Sequence, residues 1–227
     1  MKSVYVSSGA MSGLIKRLFA GEGWAVVDEV SDAELLALSG GEDVDPIIYN
    51  QHEHDSTYGI INRDKFEIAL VDYASRHKIP VVGICRGAQL LNILNGGDMW
   101  QDVSNHAGGD HMMKIKGTNI EVLVSSLHHQ MMIPNYSSVN CIVLATAAVA
   151  KRKEKCTTRD SECKVIREDG ISEDVEAVYY VSNNHLCYQP HPELYVHSGE
   201  RYRPMVDNFF SLIDTYLFDE QQLEFDI

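Results

Sequence analysis

With 227 residues and 25.5 kDa, 44% of them hydrophobic and 23% charged, the chain has room for one substantial core and hardly for a second enzyme domain. A formal net charge of -14 and a pI near 5.0 exclude the basic face that broad nucleic-acid binding requires, and five cysteines at scattered spacings imply no disulfide framework. The segment Met1 to Gly9 has no signal-peptide pattern and no run suits a membrane span, so the expectation is a cytoplasmic protein with reduced thiols and a small-molecule partner.

In chain order, Val4 to Val6 reads as a first strand. Met11 to Ala20 reads as a first helix, because Leu14, Ile15, Leu18 and Phe19 share a stripe opposite Lys16 and Arg17. Gly21 to Gly23 stops it. Trp24 to Val30 is expected as a second strand and Leu35 to Ser39 as a short third, ending at Gly40-Gly41. The alternation predicts an α/β fold: a three-layer, doubly wound, mostly parallel sheet with flanking helices, its site at the carboxyl ends of the strands. The loop Gly40-Gly41-Glu42-Asp43-Val44-Asp45-Pro46 opens at that edge, where paired glycines let backbone N–H groups approach a ligand. Taken alone, it reads first as a tight turn closed by proline; beside a nucleophile elbow at the same edge, it reads as an oxyanion donor.

Asn62 to His77 has helical spacing, with Phe66, Ile68, Ala69, Leu70 and Tyr73 as apolar positions and Arg63, Asp64, Lys65 and Glu67 as polar ones. Ile79 to Ile84 then reads as a buried strand. From Ala88 the apolar residues Leu90, Leu91 and Leu94 recur at helical spacing, so Cys85 sits in a strand-to-helix turn. Gly83 and Gly87 flank it as Gly-x-Cys-x-Gly, the spacing of a nucleophile elbow with sulfur in place of a hydroxyl. Small flanks let strand and helix cross closely, and the thiol faces a helix N-terminus that favours an anion. A cysteine that merely packs is the plain alternative, but the strand, paired glycines and helix together point to a nucleophile.

Gly96 to Asp102 reads as a helix stop and return. His106 and His111 fall in a glycine-containing loop with no cysteine or carboxylate at ligand spacing, so the sequence points to no metal and no cofactor. Glu121 to Val124 is expected as a strand, Ser125-Ser126-Leu127-His128-His129-Gln130 as a polar loop, and Cys141 to Ala150 as a further strand. The basic run Lys151 to Lys155 reads as a solvated hairpin tip. Lys164 to Arg167 and Val175 to Val181 read as strands paired about a turn at Glu168-Asp169-Gly170. Met205 to Phe218 closes the chain as an amphipathic helix. Without repeats, low-complexity tracts or a linker, residues 1–227 are expected to form one domain.

A cysteine nucleophile needs a base, and histidine has the suitable pKa. Among ten histidines His191 stands out, because it follows a strand, lies between Pro190 and Pro192, and has Glu193 two residues on. In an extended segment residues i and i+2 share a side, so the carboxylate can orient the ring.

Gly83-Ile84-Cys85-Arg86-Gly87-Ala88-Gln89 with His191-Pro192-Glu193 resembles the class I glutamine amidotransferase superfamily, whose triad is Cys-His-Glu. The stretches Gly40 to Pro46, Arg63 to Glu67, Gly97 to Asp102 and Ser126 to Gln130 narrow this to the gamma-glutamyl-gamma-aminobutyrate hydrolase branch, the peptidase C26 group. The resemblance implies the flavodoxin-like fold of that superfamily. It implies Cys85 as nucleophile, His191 as general acid/base and Glu193 as its orienting carboxylate. It also implies backbone N–H groups of Gly41 and Arg86 as the oxyanion hole, and Gln89 with His129 as holders of the glutamyl α-amino and α-carboxyl groups. Such a site cleaves gamma-glutamyl amides through a thioester and releases glutamate with an amine or ammonia. Proline at position 190 stands where the family more often has an aromatic residue, a change on the leaving-group side.

Three functions fit this pattern. The first is a stand-alone hydrolase of gamma-glutamyl amides, the second a glutaminase subunit delivering ammonia to a separate synthetase, and the third a non-catalytic binding protein on the same fold. The implied partners are a small gamma-glutamyl substrate or glutamine, with a synthetase or a second copy of the chain also admitted, and neither nucleic acid nor membrane.

Overall fold

The computed structural model describes residues 1–147, 150, 152–169 and 173–219. Its framework is a nine-stranded sheet. Five neighbours are parallel, in the order Ala25–Val26, Ser3–Val6, Leu35–Leu38, Val81–Ile84 and His185–Tyr188. The sheet continues antiparallel through Asp174–Tyr180, Cys141–Ala147, Ala107–Ile115 and Glu121–Leu127. The parallel half is the doubly wound α/β sheet that the alternation predicts, and the antiparallel half extends it from one edge.

Two apolar layers follow from the period of two along each strand. Leu35, Ala37, Val82 and Ile84 face the helices Ser12–Gly21 and Arg203–Leu212, where Phe19, Trp24 and Phe209 pack edge to face or tilted with Phe210. Leu36, Leu38 and Val81 face the other way, onto Val71 and Ala74 of the helix Ile61–His77 and Leu90 and Leu91 of the helix Arg86–Leu94. The last predicted helix runs regularly only to Leu212 and widens into a π-turn over Ile213–Phe218.

Several sequence expectations are corrected. The second strand is only Ala25–Val26, because after Val27 the polar Asp28-Glu29 leads into a single turn at Val30–Asp32. Val165–Asp169 does not pair with Asp174–Tyr180. It pairs with Arg152–Cys156, which also pairs with Asp102–Val103 in a separate three-stranded sheet. The basic run is therefore no solvated tip: Lys153 is buried against Asp174, and Lys155 binds Asp98 over the Trp100 ring. Lys151 and Gly170 lie outside the described residues, as do positions 148 and 149 of the strand expected to reach Ala150. Ser125, Ser126 and Leu127 are strand rather than loop, with both serines buried.

The turn between Val81–Ile84 and Arg86–Leu94 has the elbow geometry. Cys85 sits at φ 51° and ψ -110°, a conformation that L residues rarely adopt and that stores about 1–3 kcal/mol. Gly87 lies so close to the next strand that an added Cβ would stand 2.5 Å from the Leu38 carbonyl oxygen. Two predictions follow from these contacts. Gly87→Ala should lower stability by about 1–3 kcal/mol or more in urea unfolding, since helix and strand must separate; a variant with the parent's midpoint would contradict the close crossing. Cys85→Gly should melt above Cys85→Ala, by an amount on the order of 1 kcal/mol, because glycine accepts the positive φ without strain. The reverse order would remove the strain argument.

Candidate active site

Sheet register assembles the site. Leu38 pairs with Gly83, and Tyr188 pairs with Ile84, so three parallel strands end side by side. The residues that follow them are Gly40 and Gly41, Cys85, and His191. The Cys85 N–H donates to the Tyr188 carbonyl at 2.9 Å, which extends the pairing to the turn itself. Gly40 fills the space between the side chains: a Cβ there would lie 3.0 Å from His191 Cε1 and 3.7 Å from Cys85 Cβ.

His191 and Glu193 are both buried, with His191 Nδ1 and Glu193 Oε1 2.7 Å apart. The expected reason for this pairing needs correction. Pro192–Leu194 is a tight helical turn rather than an extended segment, and the turn folds the carboxylate back onto the ring. The His191 backbone N–H donates to Ser125 Oγ at 2.9 Å, which pins the residue from the antiparallel side. Burial by itself lowers the His191 pKa. The charges of Cys85 and Glu193, and hydrogen bonds to both, outweigh that and hold it well above the ordinary value of 6.5. The ring between Cys85 and Glu193 is thus biased toward its charged form.

The first bond of the helix after Cys85 runs from the Gln89 N–H to the Cys85 carbonyl at 3.0 Å, so the Arg86 amide lies outside the helix's own ladder. Gly41, Cys85 and Arg86 border one cavity of about 200 Å³.

The Gly40 to Asp45 loop is held by Arg63 and, through the Asp45 N–H, by Asp64. Arg63 on the helix Ile61–His77 donates from Nη2 to the carbonyls of Ser39 and Gly40, each at 2.9 Å, and from Nη1 to Glu42 Oε2 at 2.7 Å. The Arg86 side chain pairs with Asp64 and Glu67, all three buried. Burial, and then Arg63, draw the Arg86 pKa down to about 10, while burial raises that of Asp64. Asp64 Oδ2 also accepts from the Asp45 N–H at 3.0 Å, and Glu67 Oε1 accepts from Ser7 Oγ at 2.7 Å. Asp64 and Glu67 read in the sequence as ordinary polar positions, and Phe66 as an apolar one. In the fold the acids are buried and Phe66 is half exposed, because the helix turns its charged i, i+3 pair toward Arg86. The signal was Arg86 itself, a charge placed directly after a buried strand.

Gln89 and His129 both border the cavity, but neither is unengaged. Gln89 Nε2 donates to the Gln130 carbonyl and Gln189 Oε1, at 3.1 and 3.2 Å, which fixes its amide from behind. His129 Nε2 lies 3.1 Å from both carboxylate oxygens of Asp43. That hydrogen bond, opposed by burial and aided by the Asp43 charge, raises the His129 pKa above 6.5. Asp43, which the sequence reading passed over, thus places a carboxylate and an imidazolium at one end of the cavity.

His106 and His111, which have no carboxylate at ligand spacing in the sequence, meet carboxylates that are distant in the chain. His106 precedes the strand Ala107–Ile115, and His111 lies within it. Folding brings both against Asp174 and Glu176 on Asp174–Tyr180, at 2.9 Å in each case.

Comparison with known proteins now bears on this arrangement. Protein NtpR of Enterococcus hirae is 35% identical over 83 residues, 36% of this chain and 34% of NtpR. A Schizosaccharomyces pombe protein carrying the provisional name of glutamine amidotransferase is 29% identical over 147 residues, 63% of this chain and 56% of its own length. The chain thus spans about a third to just over half of these relatives. A glutamine amidotransferase from Thermotoga maritima superposes with a TM-score of 0.57 at 13% identity, covering 100% of this chain and 90% of that one, a likeness of fold alone. No described helix is long and apolar enough to cross a membrane. The peptidase C26 family matches residues 19–193, which include the elbow, the glycine loop and the His-Pro-Glu turn, and the chain belongs to that family.

Proposed function

We propose that the protein hydrolyses gamma-glutamyl amide bonds by nucleophilic catalysis at Cys85. The observation that carries this reading is the strained elbow cysteine beside a histidine that Glu193 holds at 2.7 Å. Cys85 attacks the γ-carbonyl carbon, and the oxyanion forms against the amides of Gly41 and Arg86. His191 gives its proton to the departing nitrogen as the C–N bond breaks, leaving a glutamyl thioester. It then takes a proton from water, which attacks the thioester and frees glutamate. Asp43 and His129 are opposite charges suited to the α-amino and α-carboxylate groups of the glutamyl end, with Gln89 on the adjoining wall.

The same chemistry serves a glutaminase that hands ammonia to a synthetase, and the amidotransferase name of the S. pombe relative favours keeping that second reading. Turnover of gamma-glutamyl amines by the purified chain, without any partner, supports the hydrolase. Glutamine turnover alone, silent until a synthetase is added, supports the other.

Cys85→Ala should abolish hydrolysis while the fold persists, and His191→Asn should fail almost as badly, each losing on the order of 10⁴-fold or more in kcat. Glu193→Gln should lose less, because an amide still accepts the ring N–H but stabilises the imidazolium poorly. Near-parental hydrolysis of every gamma-glutamyl substrate by Cys85→Ala would overturn the nucleophile assignment.

Recognition of the glutamyl end should depend on pH in a definite direction. His129 carries its charge below its raised pKa, so KM should stay low through pH 6.5 and climb only as the pH passes that higher value. Asp43→Asn removes the main cause of the shift, and the climb in KM should move to lower pH. A pH profile of KM unchanged by Asp43→Asn would separate His129 from substrate binding. Alpha-linked glutamyl peptides should be poor substrates, by about 10⁴-fold, since they leave the charged pair unmatched; equal rates for the two linkages would contradict the assignment.

A further inference from the structure

A second cluster, one of whose residues, His128, also borders the cavity, takes no part in the proposed hydrolysis. His106, His128 and Glu176 are all buried, and one ligand atom of each lies within 4.8 Å of the others. Each ring is oriented through its other nitrogen. His106 Nε2 meets Asp174 Oδ2 at 2.9 Å, and His128 Nδ1 donates to the Gln130 carbonyl at 2.8 Å. His106 Nδ1 therefore faces inward, 3.9 Å from Glu176 Oε1 and 3.0 Å from Ser126 Oγ. His128 Nε2 is left as a lone pair.

Two inward atoms, His128 Nε2 and Glu176 Oε2, are buried without a hydrogen-bond partner. Both are acceptors, so they cannot satisfy each other, and leaving two such groups dry is costly. A cation resolves the conflict. A backbone carbonyl or carboxylate behind each histidine is the usual outer shell of a metal-bound imidazole, which must be neutral to ligate.

We propose that His106 Nδ1, His128 Nε2 and the Glu176 carboxylate bind a zinc-class divalent transition metal, with Asp174 and the Gln130 carbonyl as the outer shell. Two imidazoles and one carboxylate suit zinc or cobalt, whereas magnesium and calcium prefer all-oxygen sets. Lys153 Nζ, 2.6 Å from Asp174 Oδ1, balances the remaining charge, and His111 Nε2 holds Glu176 Oε1 at 2.9 Å, which leaves Oε2 for the metal. The bound ion ties three strands together beside His191. Ser126 adjoins the Ser125 that pins His191, and the Glu176 carbonyl accepts from the Gln189 N–H at 2.8 Å. The role is structural, and no step of hydrolysis passes through the ion.

The test is a cobalt(II) titration of chelator-treated full chain, in the parent and in Cys85→Ala, followed by zinc(II) competition and thermal melting. One equivalent of cobalt should give the visible bands of a tetrahedral site in both proteins. Zinc should displace it and raise the melting temperature, and Glu176→Gln and His106→Gln should lose bands and shift together. Bands that vanish in Cys85→Ala but persist in Glu176→Gln would place the metal at the thiol and overturn the proposal. If either ligand variant fails to fold, the parent decides: neither bands nor a thermal shift with cobalt or zinc means a polar cluster bridged by water.

Discussion

Parallel pairing of His185–Tyr188 against Val81–Ile84 is the constraint on which the site depends, because its register places Tyr188 beside Ile84 and thereby His191 beside Cys85. A slip of one residue would turn every side chain of that strand to the opposite face. The strand is buried on both sides, Leu186 in one apolar layer and Cys187 in the other, so such a slip would also disrupt both layers. Core packing thus sets the register that brings nucleophile and base together, and the Ser125 hydrogen bond then pins His191 in place.

The third strand of the site is governed differently. Leu35–Leu38 is fixed by packing, whereas Gly40 and Gly41 beyond it have no side chains, and the loop is held through Glu42, Asp43 and its carbonyls. Arg63 supplies the fixing from outside, through carbonyls, and the Arg86, Asp64 and Glu67 group anchors the helix that carries Arg63. Burying such charges gains little net stability, but removing one partner leaves the others uncompensated at a cost of about 3–5 kcal/mol. The network is better understood as specifying one loop geometry than as strengthening the fold. Arg86 joins both parts, since the residue borders the cavity while its guanidinium holds the helix.

Local patterns made the elbow legible in the sequence. Gly83, Cys85 and Gly87 lie within five residues, and the change from strand to helix period occurs at the cysteine. His191 and Glu193 were also readable as neighbours, although the turn at Pro192 brings them together and the extended geometry expected there does not occur. Charged residues that act inside the fold were not legible. Asp64, Glu67, Lys153 and Glu176 look like surface positions in a linear reading, because their partners Arg86, Asp174 and His111 lie far away in the chain or carry no periodic signal. The same limit explains the mispaired strand Val165–Asp169: a turn signal at Glu168 to Gly170 suggested the following strand as partner, whereas the register belongs to Arg152–Cys156.

Hydrolysis by this route passes through a covalent glutamyl intermediate at one sulfur. The most direct measurement is mass spectrometry of protein quenched in acid during turnover of a gamma-glutamyl amide, followed by peptide mapping. The expected result is the mass of one glutamyl group, less the displaced proton, on the peptide containing Cys85, appearing during turnover and disappearing as substrate is exhausted. Hydrolysis that proceeds with Cys85 alkylated, or an adduct that maps to Cys141, Cys156, Cys163 or Cys187 instead, would contradict it.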